Sequence, residues 1–291
     1  MKIHPSILFG FVLAFCSCGG ENFFEATVPI DVPPHEPRLA VTAHLAAGDS
    51  TLRIFVSHSV GILDNEDPQP VRNASVSIAR NGQFLGFATL ELNDLYLLHL
   101  DQPLPANPDS YSLLVAAPGY DSVSALQIMP TPIPIDSAWF EIDGAIDTDG
   151  EKVDELGVAF YDPAAEENFY AIEAWVVFDD KYTEKLQLES LDPLTEEGLD
   201  AWLLKDASFN GKRYEWRLKA YRFFNPDDNV KLFVRLRSIS NDLYLYLRSV
   251  ELADLAEGNP FAEPVIIHNN ILGGYGIFSL ESSEVKPVPI Q

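Results

Sequence analysis

The chain has 291 residues, of which 47% are apolar, and its 44 acidic and 19 basic residues give a formal net charge of -25. A chain of this length can bury a large core, whereas so strong an acidic excess excludes nucleic acid as a partner, because lysine and arginine bind phosphates. The negative charge also repels anionic membrane surfaces, so attachment to a membrane needs another anchor.

The first 18 residues have the organisation of an export signal. Lys2 precedes an apolar run over 7–15 that is too short to cross a bilayer, and two cysteines follow it. A cysteine in this place is typical of a bacterial lipoprotein signal. Cys18 is the better acceptor, because the small Ser17 precedes it, whereas a bulky phenylalanine precedes Cys16. We predict a signal peptide over 1–17 and a lipidated Cys18; the alternative is an ordinary secretory signal.

Lipidation of Cys18 restricts the chemistry of the mature chain. Cys16 leaves with the signal, so no free thiol remains for catalysis, for metal binding or for a disulfide. Four prolines lie in the segment that follows and favour extended backbone. We therefore predict that residues 18–38 form a lipidated, proline-rich tether between the membrane and the folded body.

From residue 39 to 130 the apolar residues follow a period of two, which indicates β-strands. Asn81-Gly82 lies between two strand-length runs and predicts a tight type I′ hairpin. Six or more short strands at this spacing, with no helical segment, predict an Ig-like β-sandwich. The predicted strands are 39–45, 52–58, 74–79, 83–90, 95–100 and 110–117.

Prolines at 130, 132 and 134 predict a domain boundary, followed by a second β-rich domain over 131–291. Asp192-Pro193 has the cap and first-turn residues of a short helix over 194–204. Apolar residues at helical spacing predict the main helix near 241–256, which ends before Gly258. The predicted fold class is therefore mainly β, with one or two helices. The predicted strands of this domain are 137–142, 156–161, 168–178, 213–223 and 230–238.

The C-terminal stretch over 259–278 combines a proline-bracketed turn, a predicted strand at 265–268, an asparagine pair and a glycine run before Ile277-Phe278. This stretch resembles the end of a family of Bacteroidetes outer-membrane lipoproteins known as domain of unknown function 4249. The resemblance extends in order over about 18–280. Other similar segments are 73–76, 111–120, 161–163, 168–170 and 209–212.

The resemblance implies a location and a role but no activity, because the family is named for lacking one. Its members resemble accessory lipoproteins found beside TonB-dependent outer-membrane transporters of the SusC type, and segment 111–120 is similar to the transthyretin-like sandwiches attached to such transporters. These likenesses imply an outer-membrane lipoprotein, facing the cell surface or the periplasm, that is a non-enzymatic binding or docking component of nutrient uptake. A SusC-like transporter is the implied partner, the lipid contacts the membrane, and no cofactor is implied.

Few residues have the pattern of a site. Asn269 and Asn270, with Tyr275, are candidate binding residues for a sugar or phosphate, and the alternative is a tight turn that redirects the last strand. His44 and His58 lie on neighbouring predicted strands and could meet as metal ligands. Each, however, follows the alternation of its strand without an acidic residue beside it, so we predict no metal site.

The acidic loop over 143–155 has the composition of a calcium loop. When Gly150 takes the glycine position, Ala145 and Leu156 stand where the first ligand and the bidentate glutamate belong, so the EF-hand pattern fails. We expect a solvated hairpin tip, and a specific calcium site is the alternative.

Two classes of function remain. No nucleophile motif is present, so we predict a docking lipoprotein without catalytic residues. The alternative is a surface hydrolase acting on a glycan or peptide through a dispersed acidic site, which a cleft with converging carboxylates would favour. Trp139, Trp175, Trp202 and Trp216 could stack on sugars, but core packing is the prediction for them.

Overall fold

A computed structural model describes residues 35–61, 67–164, 166–190, 192–225, 229–259 and 261–290. The described residues from Glu36 onward belong to one unit. The signal peptide, Cys18 and all but the last four residues of the tether lie outside the described residues. Within these ranges no helix is long and apolar enough to cross a membrane.

The described chain is built from 17 strands and one α-helix, and the mainly β fold class is confirmed. The strands are β1 (Leu39–Ala46), β2 (Thr51–His58), β3 (Ser75–Arg80), β4 (Gln83–Leu90), β5 (Leu95–His99), β6 (Ser110–Ala116), β7 (Val123–Ile128), β8 (Ile135–Ile146), β9 (Lys152–Tyr161), β10 (Phe169–Phe178), β11 (Tyr182–Lys185), β12 (Gln187–Glu189), β13 (Thr195–Gly198), β14 (Ala201–Lys205), β15 (Arg213–Tyr221), β16 (Val230–Ile239) and β17 (Tyr275–Val288). The helix is α1 (Asn241–Ala256).

The N-terminal half is a sandwich of two layers, with strand orders β17-β1-β2-β5-β4 and β4-β3-β6-β7. β4 belongs to both layers, because its first part pairs with β3 and its last residues, Thr89 and Leu90, pair with β5. The inward side chains of both layers form one buried core, which includes Leu52, Ile78 and Leu113. Asn81 and Gly82 have φ of 50° and 77°, which confirms the predicted hairpin between β3 and β4.

The C-terminal half is a second sandwich. The order β13-β14-β10-β16-β17 forms one layer, and β12-β15-β9-β8 forms the other. Trp216, Phe140 and Phe160 are fully buried between them. Helix α1 packs on the outer face of the first of these layers, so this half has three layers.

One strand is common to the two halves. β17 pairs in parallel with β1 and antiparallel with β16. Phe278 and Leu280 are buried in the N-terminal core, whereas Val288 is buried in the C-terminal core. Strand β17 belongs to the predicted second domain over 131–291, yet it also completes the first sandwich.

The predicted helix over 194–204 is wrong, because this segment is the β13–β14 hairpin. Asp192 Oδ1 accepts a hydrogen bond from the Leu194 backbone N–H at 2.9 Å, so the Asp-Pro pair begins a turn and not a helix. Asp200, with a φ of 59°, provides the reversal between the strands. A Cβ at Gly198 would lie 2.5 Å from Leu203 Cδ1. Close packing in the hairpin therefore explains why this position is a glycine, a residue that disfavours a helix.

Three further segments differ from prediction. Residues 123–128 form β7, for which no strand was predicted. The strand predicted at 265–268 is wrong: these residues are irregular, and the strand begins at Tyr275. The acidic loop is shorter than predicted, because β8 and β9 continue into it and leave only residues 147–151 at the tip.

Candidate docking surface

The outer surface of the β4-β3-β6-β7 layer has an unusual composition. The register places Ser77 beside both Phe87 and Leu114, and Ser112 beside Leu126, so small polar residues separate large apolar ones. Large exposed apolar patches on a soluble domain mark interaction sites. We call the five large side chains on this surface, each more than half exposed, the apolar face: Phe84, Phe87, Leu114, Leu126 and Ile128.

Strand alternation explains how the sequence builds this surface. On β3, Val76 and Ile78 face the core while the serine between them faces outward. On β6, Leu113 is buried and its neighbour Leu114 is 51% exposed. The rings of Phe84 and Phe87 contact each other edge to face, with centroids 5.0 Å apart. The exposed apolar side chains are therefore held on a rigid sheet.

A groove runs beside β7, the last strand of this layer. Its volume is about 560 Å³, within the range of ligand pockets. Its lining includes Leu126 and Ile128 of β7 and, from the C-terminal half, polar residues such as Glu166 and Asn168 beside the largely buried Phe169 and Ile239. The groove therefore adjoins the apolar face at the edge of the sheet.

A second cleft, of about 380 Å³, lies among β10, β12, the β13–β14 hairpin and α1. Ile172, Leu186 and Trp202 form apolar walls, and Glu197 and Glu251 lie at its margin. Burial, together with the negative charge of Glu197, raises the pKa of the Glu251 carboxyl. The side chains that line the cleft in the described ranges include no serine, threonine, cysteine, histidine or tyrosine, so its titratable groups are the Lys185 amine and several carboxylates.

The predicted binding residues Asn269 and Asn270 use their amides inside the chain. Asn270 Nδ2 donates to the Phe278 carbonyl at 2.7 Å, and its Oδ1 accepts from the Phe278 backbone N–H at 2.8 Å. Asn269 Nδ2 donates to the Gly274 carbonyl at 3.2 Å, and its Oδ1 accepts from the Ile271 N–H. Tyr275 is 44% exposed at the start of β17. These contacts hold the turn before the last strand, which is the alternative considered above.

The two histidines do not meet. β1 pairs His44 with Arg53 and pairs Leu39 with His58, so the histidines lie at opposite ends of the β1–β2 pair. His44 Nδ1 is 2.9 Å from Ser279 Oγ, and its Nε2 is 3.2 Å from a Glu281 carboxylate oxygen. No group of three or more potential ligands that could hold a metal occurs among the described residues.

Glu281 lies on β17 and is the acidic neighbour of His44 that sequence proximity could not reveal. It also accepts hydrogen bonds from the Arg237 guanidinium, with Nε at 2.8 Å. Burial alone would raise the pKa of the Glu281 carboxyl, but hydrogen bonds and positive charge from His44 and Arg237 outweigh this effect and lower the pKa to about 2. This buried group connects the shared strand to both halves.

The carboxylates of the acidic segment also serve the hairpin. Asp147 Oδ1 accepts from the backbone N–H groups of Asp149 and Glu151 at 2.9 and 2.8 Å. Asp154 is bonded to Arg222 at 2.6 Å and to the backbone N–H of Asp143 at 3.0 Å. The carboxylates of Asp147 and Asp154 therefore stabilise the hairpin itself.

The tryptophans divide into two groups. Trp216 is fully buried, as predicted, and Trp202 packs against the same core. For Trp139 and Trp175 the prediction of core packing is wrong, because both lie half-buried on outer sheet surfaces beneath the guanidinium groups of Arg217 and Arg235. Period-two alternation indicates that a side chain lies on one face of a strand but does not indicate which face is covered.

Three of the sequence segments that carry the family resemblance come together at one end of the second core. Asp162 accepts from the Tyr170 hydroxyl at 2.5 Å and from the Gly211 backbone N–H at 2.7 Å. Burial raises the pKa of both Asp162 and Tyr170. Asp206, almost fully buried, accepts from the Asn168 backbone N–H at 2.9 Å. These carboxylates are satisfied within the chain, so the segments have a structural role.

The fold and its surface define a class: a β protein of two sandwiches that share a strand, with an apolar sheet face that is exposed among the described residues. The family described as Domain of unknown function (DUF4249) matches residues 25–286, and the chain belongs to this family, which confirms the predicted resemblance. None of the curated proteins matches the chain.

Several solved structures are distantly similar. Three N-terminal domains of the Highly Immunogenic Outer Capsid protein of bacteriophage RB49 share 9% identity, with 88% of this chain and 70% of that chain covered and a TM-score of 0.26. A DUF4785 family protein from Legionella pneumophila shares 14% identity over 69% and 52% of the two chains, with a TM-score of 0.24. Tandem Ig repeats of Dlar share 10% identity over 89% and 99%, with a TM-score of 0.26.

Proposed function

We propose that this protein is an outer-membrane lipoprotein, anchored through Cys18, that acts as a non-enzymatic docking component beside a TonB-dependent, SusC-like transporter in nutrient uptake. The observation that carries the docking role is the apolar face. Five large apolar side chains on one rigid sheet surface are each more than half exposed. Such a surface gains free energy when a partner removes it from water.

The predicted anchor supports the same role. A protein tethered by lipid searches a thin layer beside the membrane, so a modest contact with a neighbouring membrane protein is favoured by a high effective concentration. The net charge of -25 opposes adsorption to an anionic lipid surface, which leaves the apolar face available to protein partners.

Anchoring is tested by fractionation. Cys18→Ala is expected to move the protein from the membrane fraction to the soluble fraction while its circular dichroism spectrum stays unchanged. Cys16→Ala is the matched control and should remain in the membrane fraction. A Cys18→Ala protein that stays membrane-bound to the same extent would contradict the lipoprotein assignment.

Docking is tested by purification of the tagged lipoprotein from detergent-extracted outer membranes. We expect a TonB-dependent channel to co-purify, and the double substitution Phe84→Ser and Phe87→Ser to reduce its yield strongly. Phe261→Ser is the matched control, because Phe261 is 93% exposed but lies outside the apolar face. Equal recovery of the channel with all three proteins, or recovery with none, would refute docking through this surface.

The cleft beside Glu251 supports the alternative, a hydrolase that acts on a glycan or peptide. Its carboxylates Glu197 and Glu251 converge at one cleft, and the raised pKa of Glu251 is the property of a general acid. Glu251→Gln is expected to abolish turnover of glycan and peptide substrates if the alternative holds, while the exposed Glu263→Gln leaves turnover unchanged. Absence of turnover in the unmodified protein would argue against the hydrolase alternative.

A further inference from the structure

Within the described residues, the sheet edge beside the apolar face has backbone groups without a partner strand. β7 pairs with β6 on one side, and on the other side the Ser124 N–H and C=O bond to Leu272 at 3.2 and 2.8 Å. In an antiparallel strand, alternate residues direct both backbone groups to the same side. Leu126 and Ile128 have the same parity as Ser124, so their N–H and C=O groups are directed away from β6.

These outward groups have no ladder partner in the described part of the chain. The bridge to Leu272 ends at Ser124, and the groove of about 560 Å³ begins where that bridge stops. The side chains of Leu126 and Ile128 are 65% and 61% exposed at the same place. Two pairs of open backbone groups, two exposed apolar side chains and a groove thus coincide. Natural proteins normally protect such an edge with charge, proline or a covering element.

The charges around the groove indicate which kind of segment fits it. The described residues that line the groove include Glu166 and Glu167 but no lysine, arginine or histidine. Glu167 pairs with Lys205 at 2.6 Å, whereas the Glu166 carboxylate is exposed and has no cationic partner among the described residues. The net charge of -25 also opposes a second copy of the chain at this edge.

We infer that β7 is a site of strand addition, at which an extended segment of a partner protein pairs with Leu126 and Ile128. The segment has apolar residues at alternate positions, which contact the apolar face, and basic residues that face the Glu166 side of the groove. Strand addition draws its affinity from main-chain hydrogen bonds and its specificity from alternate side chains. This inference rests on the proposed docking role and specifies the chemistry of the partner.

The test measures binding of a fluorescent ten-residue peptide, with valine at alternate positions and lysine and threonine between them, to the full mature chain carrying Cys18→Ala. Leu126→Pro removes one outward N–H without removing a hydrogen bond to β6, because proline is tolerated at such edge positions. We expect the affinity of Leu126→Pro for the peptide to fall about tenfold, which corresponds to the loss of about one main-chain hydrogen bond. Leu126→Ala keeps the N–H and is the matched control, with a smaller loss.

Two modified peptides keep the inference testable if Leu126→Pro fails to fold. Methylation of alternate backbone nitrogens prevents strand pairing and should abolish binding to the unmodified protein. Replacement of lysine by glutamate should weaken binding, and Glu166→Gln should reduce the difference between the lysine and glutamate peptides. Equal binding of methylated and unmethylated peptides, or no binding of the lysine peptide, would overturn the inference.

Sedimentation of the protein alone tests the competing occupant. A dimer that forms with rising concentration and disappears in Leu126→Pro would assign the edge to a second copy and overturn the inference. The outcome is separable from that of the proposed function. Peptide binding without a co-purifying channel refutes the transporter partner alone, whereas a co-purifying channel unaffected by Leu126→Pro refutes strand addition alone.

Discussion

The two sandwiches differ in how their outer sheet surfaces are completed. In the C-terminal half, α1 lies on the outer surface of β10 and β14, where Leu243, Tyr244 and Leu247 bury Phe169 and Ala171. In the N-terminal half, the β4-β3-β6-β7 layer carries side chains of similar size, and no helix of the described chain covers them. One apolar surface is thus covered within the chain, whereas the other is exposed among the described residues.

Because α1 covers one surface and the apolar face is exposed, similar substitutions on the two surfaces should have different effects on stability. Removing an apolar side chain beneath α1 leaves a cavity and should destabilise the fold. Removing one from the apolar face leaves no cavity, because water already contacts it, and should affect association alone. The following predictions test this contrast in order of decreasing effect on stability.

Leu243→Ala tests the covered surface. Leu243 is 4% exposed between α1 and the sheet, so we expect a loss of about 4 kcal/mol in the free energy of unfolding. Chemical denaturation measures this loss. The control is Leu252→Ala on the same helix, since Leu252 is 43% exposed and should lose far less. Equal losses for the two variants would contradict the assignment of α1 as a cover.

Glu281→Gln tests the shared strand. Because its pKa is about 2 in the folded chain against an ordinary value of 4.5, ionised Glu281 contributes about 3 kcal/mol of stability at neutral pH. A lowered pKa gives stability that is present above pH 4.5 and lost as the pH falls toward 2. The difference between unmodified protein and Glu281→Gln should therefore shrink over this range, as measured by denaturation at several pH values. A difference independent of pH would refute this origin.

Ser240→Ala tests the N-terminal cap of α1, the helix that covers the sheet. Ser240 Oγ accepts a hydrogen bond from the Leu243 backbone N–H at 3.3 Å and caps α1. We expect a loss of about 1 kcal/mol in the free energy of unfolding. Ser240→Asp retains an acceptor at the cap and should restore most of the stability. A Ser240→Asp variant as unstable as Ser240→Ala would argue against capping.

Phe87→Ser tests the uncovered surface. Phe87 is 61% exposed, and we expect the free energy of unfolding to change by no more than about 0.5 kcal/mol. Ile78→Ser, on the neighbouring strand but facing the core, should be strongly destabilising and provides the contrast. A loss above 2 kcal/mol for Phe87→Ser would mean that this side chain belongs to the core of the sandwich.

Local signals predict local structure well in this chain. Asn81-Gly82 identified a hairpin because both residues tolerate positive φ, and the helix over 241–256 followed from apolar spacing and a following glycine. The helix predicted over 194–204 is wrong because an aspartate before proline begins an Asx turn as readily as a helix. The apolar residues of that segment also lie on both faces of its hairpin, which mimics helical spacing.

The surface and the buried charges could not be predicted, because both depend on distant parts of the chain. His44 meets its partners on a strand 235 residues later. Leu114 and Leu126 have the same alternation as core residues, but they are exposed because no helix of the described residues covers them. The amides of Asn269 and Asn270 bond to the turn and to the strand that follow, and these contacts cannot be deduced from the sequence.

Because β1 pairs in parallel with β17, the N-terminal sandwich cannot be completed until the last strand of the chain has been made. During synthesis, residues 39–130 emerge early, yet β1 keeps one unpaired edge until residues 275–281 arrive to pair with it. Late long-range pairings slow folding and prolong the exposure of strand edges. A product that terminates before Tyr275 retains that open edge and lacks Phe278 and Leu280 from its core. We expect a chain that ends before Tyr275 to be cleaved by proteases faster than the full-length chain, because its open strand edge stays accessible.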